Sequence, residues 1–437
     1  MVKFTPHLPQ EQAEMLQAIG VEKLADLYAG LEHFLDKSGT VICGKSMQAV
    51  EQKAKKASLA NKLYPAIFRG AGSYNHYIPP LVDNLSSRSE FLTAYTPYQA
   101  EMSQGILQAI FEYQTMIAQL CGMEVSNASH YDGAAAFAEA LIALRKRGKD
   151  KVLLSSALHP MTAKVIETYL NPHRITVEYI DCKDGKTSIV DMADKLEGAY
   201  AVGIAQPNYF GCIEDADSIG ELLAEKGIGY VMSVYPISAS LLKTPSECNA
   251  DIAVGEGQPL GLPMAFGGPY LGFMATTRQN VRLLPGRIVG KTLDNKGQDA
   301  YVLTMQAREQ HIRRERASSS ICSNQAHCAL RAAIYMATAG KEGIQEVGQV
   351  CYAKAHFLAD EICNIVHFKL KYSTEFFNEF VITSDIDTQE IEKALAKKGI
   401  LSGLPLSPQD MLYCVTEQNN AEQIQALVAT LAEVARC

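Results

Sequence analysis

Between Val125 and Val234 the chain switches repeatedly between two spacings of apolar residues, and this alternation constrains its fold more than any other feature. Short apolar runs stand at Val125–Ala128, Lys151–Ser156, Ile175–Ile180, Tyr200–Ala205 and Gly229–Val234. Each has strand length and is bounded by polar or turn-forming residues. Helical spacing fills several of the gaps, most clearly from Asp132-Gly133 through Arg147. Parallel strands can be joined only by a crossover, and the crossing helices cover the sheet. The alternation therefore predicts a large, mainly parallel sheet with helices on both faces. The stretch Gly267-Gly268-Pro269-Tyr270-Leu271-Gly272-Phe273-Met274 reads as a further buried strand entered through glycines.

The flanking regions have a different character. Pro9 opens a helical stripe of Met15, Leu16 and Ile19 that stops at Gly20, and Leu24, Leu27, Tyr28 and Leu31 repeat the spacing. Residues 1–65 read as an N-terminal helical arm. Arg69–Glu101 is dense in Tyr, Pro, Gly and Ser, which suits an ordered irregular segment. A helix follows from about Ser103 to Leu120, with Ile106, Ile110, Tyr113 and Ile117 on one stripe. Residues 66–350 are expected to form the large domain. Residues 351–437 read as a small α+β domain, with strands at Phe376–Ile382 and Met411–Thr416 and helices at Thr388–Lys398 and Ala421–Ala435.

Composition removes several classes of function. A chain of 437 residues exceeds one compact domain, and 47% hydrophobic with 20% charged residues is an ordinary globular balance. A net charge of −8 argues against a nucleic-acid binder. No apolar run approaches the roughly 18–20 residues that span a bilayer, and the opening MVKFTPHLPQEQAEM lacks the layout of a secretory signal. The 11 cysteines are scattered without a C-x-x-C pair; Cys121, Cys182, Cys212 and Cys414 sit among apolar neighbours, as reduced thiols of a cytoplasmic protein do. The 10 histidines show no ligand spacing, so no metal is expected.

Three segments are candidate sites. Asp132-Gly133-Ala134-Ala135 opens a helix after a strand: it is either an anion site at a helix start or a helix capped by Asp132. Arg308 to Arg316 is the densest charge run, either a solvated face or a contact for a carboxylate or an acidic partner, with Arg308, Arg313 and Arg314 as the residues concerned. The hydroxyl-rich loop that follows carries Ser320, Ser323 and Asn324. His76, Tyr95, Tyr98 and Glu101, set among prolines, form either a pocket wall or a subunit interface.

The stretches YNHYIPPLVDNLSSRSEFLTAYTPYQAEMSQGILQAIFEYQTMIAQLCGMEVSNASHYDGAAAFAEA, AFGGPYLGFMAT, LPGRIVGKT and LTMQAREQHIRRERASSSICSNQAH occur in this order between residues 69 and 330. They resemble the alpha (subunit 1, N-terminal) half of the glycine cleavage system P-protein family, glycine dehydrogenase (decarboxylating). The resemblance implies a fold-type I architecture of enzymes dependent on pyridoxal phosphate (PLP): a seven-stranded mixed sheet domain with a small C-terminal domain. It also implies glycine as substrate and a heterotetramer with a PLP-bearing beta subunit. The lipoyl arm of H-protein is the implied acceptor of the aminomethyl group.

In this family's catalytic half, a lysine joins PLP as a Schiff base and an aspartate pairs with the ring nitrogen. Counted back from Gly267-Gly268-Pro269, the lysine's place falls on Gln258, and the strand expected to end in the aspartate carries Ser233. The expectation is a chain without covalent PLP and without a catalytic residue of its own. His76, Tyr95, Tyr98 and Glu101 would line a shared pocket, and Ser320, Ser323 and Asn324 would lie near the partner's phosphate. Arg308, Arg313 and Arg314 would meet the substrate carboxylate or an acidic partner. Two rivals stand beside this reading. One is a self-sufficient PLP decarboxylase using Lys243, Lys291 or Lys296; the other is a non-catalytic scaffold.

Overall fold

The computed structural model describes residues 8–31, 33, 44–92, 97–321 and 324–436. Contacts divide the chain into two units, 1–63 and 64–437. Tyr95 and Ser323 lie outside the described residues.

In the first unit, α1 (Pro9–Ile19) begins with proline, whose missing N–H is no loss in the first turn, and ends on Gly20 in the left-handed region. The repeat beginning at Leu24 forms a short 3-10 helix, Leu24–Tyr28, rather than another α-helix. Five residues are too few to repay helix nucleation before Gly30 takes a φ of +88°. Helix α2 (Met47–Ser58) is capped by Ser46, which accepts from the Ala49 N–H.

The second unit holds a seven-stranded sheet. Its strands are β1 (Val125–Ser126), β2 (Lys151–Ser155), β3 (Thr176–Ile180), β4 (Ala199–Gln206), β5 (Gly229–Val234), β6 (Ile252–Glu256) and β7 (Gly272–Thr276). Their spatial order is β1-β7-β6-β5-β4-β2-β3. The pairs from β3 through β6 are parallel, and β7 runs antiparallel to both of its neighbours. Period-two alternation sends Leu153, Val202, Ile204 and Met232 to one face and Val152, Leu154, Ala201 and Val231 to the other, where they join separate apolar cores.

The first face is covered by α4 (Gln104–Leu120), α7 (Ala216–Lys226) and the front of α8 (Ala326–Cys363). The second is covered by α5 (Gly133–Ala143) and α6 (Pro160–Leu170). Helix α3 (Pro80–Ser86) precedes α4. The buried stripe of α4 includes Leu107, Ile110, Tyr113 and Ile117, with Ile106 only partly buried.

The strand expected from Gly267 begins five residues later, at Gly272. Ala265–Gly267 forms a 3-10 turn, and Phe266, Gly267 and Gly268 all have positive φ, which no strand accommodates. A hairpin of β8 (Ile288–Leu293) and β9 (Asp299–Thr304) follows.

Toward the C-terminus, a four-stranded sheet of β10 (Phe368–Leu370), β11 (Glu379–Ser384), β12 (Leu404–Pro405) and β13 (Asp410–Cys414) packs with α9 (Thr388–Lys397) and α10 (Ala421–Val434). Ala66 and Phe68 join this core. Helix α8 runs across residue 350, so the expected boundary there falls inside one helix, which is interrupted at Gly340. No described helix is long and apolar enough to cross a membrane.

Candidate functional site

Ligands of open parallel sheets bind at the carboxyl ends of the strands, and a cavity of about 720 Å³ lies there. Ala205 at the end of β4, Ser233 and Val234 on β5 and Glu256 on β6 form its floor. His159 at the start of α6, Gly133 at the start of α5, Tyr209 and Tyr270 form its walls. Ser233 pairs in register with Ala205 and Val254, so no carboxylate reaches the floor from β5. No lysine or arginine lines the cavity among the described residues.

The chain satisfies several of the cavity's polar groups itself. Asp132 caps α5 by accepting from the Ala135 N–H at 2.7 Å, in accord with the capping alternative. The exposed N–H at the helix start is taken by Glu256, whose Oε2 accepts from Gly133 at 3.0 Å. Its Oε1 accepts from the Gln258 and Leu271 N–H groups at 3.0 and 2.9 Å. Burial pushes the Glu256 carboxyl up to about 7 against the pull of these three donors. Gly133 is fixed by closeness: a Cβ there would stand 2.9 Å from the Glu256 nitrogen.

Gln258 is buried behind this wall. Its Oε1 accepts from the Tyr74 N–H at 2.9 Å, while its Nε2 donates to the carbonyls of Tyr74 and Leu262 at 2.9 and 2.8 Å. The amide thereby holds the irregular 69–79 segment against the sheet. Tyr74 in turn donates to Glu379 Oε2 at 2.7 Å, and Ala71 N–H donates to Oε1 at 2.6 Å. Burial pushes Glu379 up to about 7. PLP would need an amine, a ring-nitrogen partner and a free phosphate cradle. The site offers an amide bonded to backbone, a serine and a helix start already occupied by a carboxylate, so its residues do not fit the group.

Of the expected residues, His76 is buried beside the cavity. Its Nδ1 bonds to Glu417 Oε2 at 2.7 Å and its Nε2 to the hydroxyl of Tyr235, which lines the cavity. Burial opposes ionisation of Glu417, but the His76 contact and the Tyr77 N–H outweigh it and hold the carboxyl down at about 2. Cys351 joins this group, and the three donors lie within 4.8 Å of one another, close enough to hold a metal ion. Spacing along the chain could not reveal the cluster, since His76 and Glu417 are 341 residues apart.

Tyr98 and Arg308 both contact the 284–287 segment, away from the cavity. The Arg287 guanidinium donates to the Tyr98 hydroxyl at 2.9 Å and lies 5.0 Å from its ring centre. Arg308 donates to the Leu284 carbonyl. Glu101 is exposed on a 3-10 turn, Ser320, Arg313 and Arg314 are exposed, and Asn324 is half-buried before α8. The charge run is not one helix: it breaks into three short turns at 306–308, 310–313 and 314–316, with Arg314 at positive φ. Lys243 and Lys291 are paired with Asp217 and Asp299, and neither they nor Lys296 lines the cavity.

Sequence reasoning missed Arg287, His159, Glu256 and Glu379 as site residues. The signal for Arg287 was a single charge between the apolar Leu283-Leu284-Pro285 and Ile288-Val289.

The model of the glycine cleavage system P-protein family matches residues 2–431. A probable glycine dehydrogenase (decarboxylating) subunit 1 from Desulforamulus reducens is 43% identical, with 99% of this chain and 100% of the relative covered. The one from Chlorobaculum parvum is also 43% identical, with 99% of each covered. The crystal structure of glycine decarboxylase (P-protein) of the glycine cleavage system, in inhibitor-bound form, superimposes with a TM-score of 0.89 at 39% identity, over 99% of this chain and 100% of that chain. Sphingosine-1-phosphate lyase from Burkholderia pseudomallei, at 13% identity and a TM-score of 0.69 over 94% of each chain, shares the fold alone.

Proposed function

This chain belongs to the glycine cleavage system P-protein family, and we propose that it completes, rather than holds, the PLP site of a two-subunit glycine dehydrogenase. The activity is glycine decarboxylation, and its relatives are subunit 1 of that enzyme. In this reading a beta subunit (subunit 2) carries PLP on its own lysine, and two copies of each chain form a heterotetramer. PLP there supplies the electron sink for the pair left on carbon as CO2 departs. The aminomethyl group then passes to the lipoyl arm of H-protein, whose disulfide is reduced.

The reading is carried by the cavity and the wall behind it, where Ser233 and the Glu256 carboxyl line the space and the buried Gln258 amide stands at the lysine's place. An amide cannot condense with an aldehyde, and the Glu256 carboxyl already takes the Gly133 N–H that a phosphate at the helix start would need. What this chain contributes is its outer face. Tyr98, Arg308, Arg313 and Arg314, with Glu101, Ser320 and Asn324, line the entrance to the partner's pocket. His76 braces the wall behind it through Glu417 and Tyr235.

The test is exchange of bicarbonate into the glycine carboxyl group. The expected result is no exchange by this chain with PLP alone, and exchange when subunit 2 and H-protein are added. Exchange by this chain alone would identify a self-sufficient enzyme. No exchange with a subunit 2 that works alongside another subunit 1 would identify a scaffold.

A further inference from the structure

Outside the cavity, the segments 284–289 and 305–311 bring together buried charges that do not satisfy one another. Arg287 is 5% exposed, and its Nε has no hydrogen-bond partner. Arg308 has a buried Nε and Nη2 without partners, while its third nitrogen is engaged by the Leu284 carbonyl. Glu309 is 6% exposed; its Oε1 is unpartnered and its Oε2 lies 3.7 Å from His311 Nδ1.

Leaving charged groups buried and unbonded costs more than almost any other defect in a folded chain. Such groups persist where something outside the chain completes them. The surroundings fix its placement: Arg287 lies against the Tyr98 ring, which meets His311 edge-on at 5.7 Å, and the Arg287 carbonyl accepts from the Ala128 N–H at 2.8 Å.

We infer that Arg287 and Arg308 form a receptor for one carboxylate group supplied from outside this chain. A guanidinium presents its N–H groups as a planar fork that matches a carboxylate. Two guanidiniums against the single Glu309 carboxylate leave one positive charge, which a monoanion neutralises. A phosphate dianion would be repelled by Glu309, and water would fill hydrogen bonds without cancelling the charge. The inference deepens the shared-site reading and rests on it for the carboxylate's source, either the substrate or an acidic side chain of subunit 2; the receptor itself does not depend on it.

The test uses the full chain and its R287K and R308Q variants, with R316Q as a control at an exposed position. Folding of each is checked by circular dichroism. First, melting of the isolated chain is followed in glycine or acetate against chloride at equal ionic strength. Second, the affinity for subunit 2 is measured. Stabilisation by glycine or acetate that R287K and R308Q lose and R316Q keeps supports a small-molecule carboxylate. No such stabilisation, with affinity for subunit 2 reduced about tenfold or more in the two variants alone, supports a partner side chain. Folded variants that match the wild type in both measurements overturn the receptor. Failure of the shared-site reading is distinguishable, because it appears as absent exchange activity with wild-type chains, whatever the variants do.

Discussion

The cavity at the carboxyl ends of the strands and the arginine cluster are both buried and polar, yet they treat their hydrogen-bonding groups in opposite ways. Around the cavity, Gln258, Glu256 and Glu379 bond to backbone and side chains of the same polypeptide. Around Arg287, nitrogens of two guanidiniums and an oxygen of Glu309 are left without partners. In a site completed in cis the hydrogen bonds are filled from within, and its side chains work as braces. A site left incomplete depends on something that arrives from outside. The contrast predicts that substitutions in the first region act on stability and those in the second on binding.

The sharpest break of this contrast is Gln258→Leu. It strips partners from the Tyr74 N–H and carbonyl and from the Leu262 carbonyl, and should lower unfolding free energy by about 3 kcal/mol or more in urea denaturation. A loss under about 1 kcal/mol would mean the amide is not a brace. Gln258→Lys should give no exchange activity alone, because its amine would meet only those carbonyls and Ser233 offers no charge.

The next effect is a dependence on pH. Burial holds Glu379 near 7 in the folded chain against an ordinary 4.5. Between those values the folded state keeps a proton that the unfolded state has released, so this group's contribution falls as pH rises through that window. Glu379→Gln should flatten the decline by on the order of 3 kcal/mol between about pH 5 and about pH 8. Glu417, held at about 2, acts oppositely: its contribution is present above about 4.5 and lost as pH falls toward 2. An unchanged slope in Glu379→Gln would contradict the buried state of that carboxyl.

Gly133→Ala should be milder, about 1–3 kcal/mol, since its Cβ forces the Glu256 backbone to move. At the small end is Arg308→Met in the isolated chain. Removing a guanidinium that is largely unbonded should leave stability within about 0.5 kcal/mol or raise it. A loss of several kcal/mol there would erase the contrast between the two regions.

Much of the fold was legible because its signals are local. The runs at Lys151–Ser156 and Gly229–Val234 carry strand spacing in their own residues, and Asp132-Gly133 states its helix start. The strand placed at Gly267 failed because apolar content hid four consecutive residues of positive φ, Ala265 to Gly268. The helix expected from Leu24 failed because spacing does not report length.

The sites were less legible. Gln258 and Ser233 could be picked out only through resemblance, and the amide's actual partner, Tyr74, is 184 residues away. The charge run drew attention to Arg308, but Arg287 became visible only when the fold placed it against Tyr98. Pairings across such separations come from topology, which periodicity does not encode.

The central claim concerns which polypeptide carries the coenzyme. The most direct measurement is borohydride reduction of the reconstituted two-subunit enzyme with PLP, followed by peptide mapping of the modified lysine. The account predicts the adduct on subunit 2 alone, and none on Lys243, Lys291, Lys296 or any other lysine of this chain. A stoichiometric adduct within this chain would contradict it.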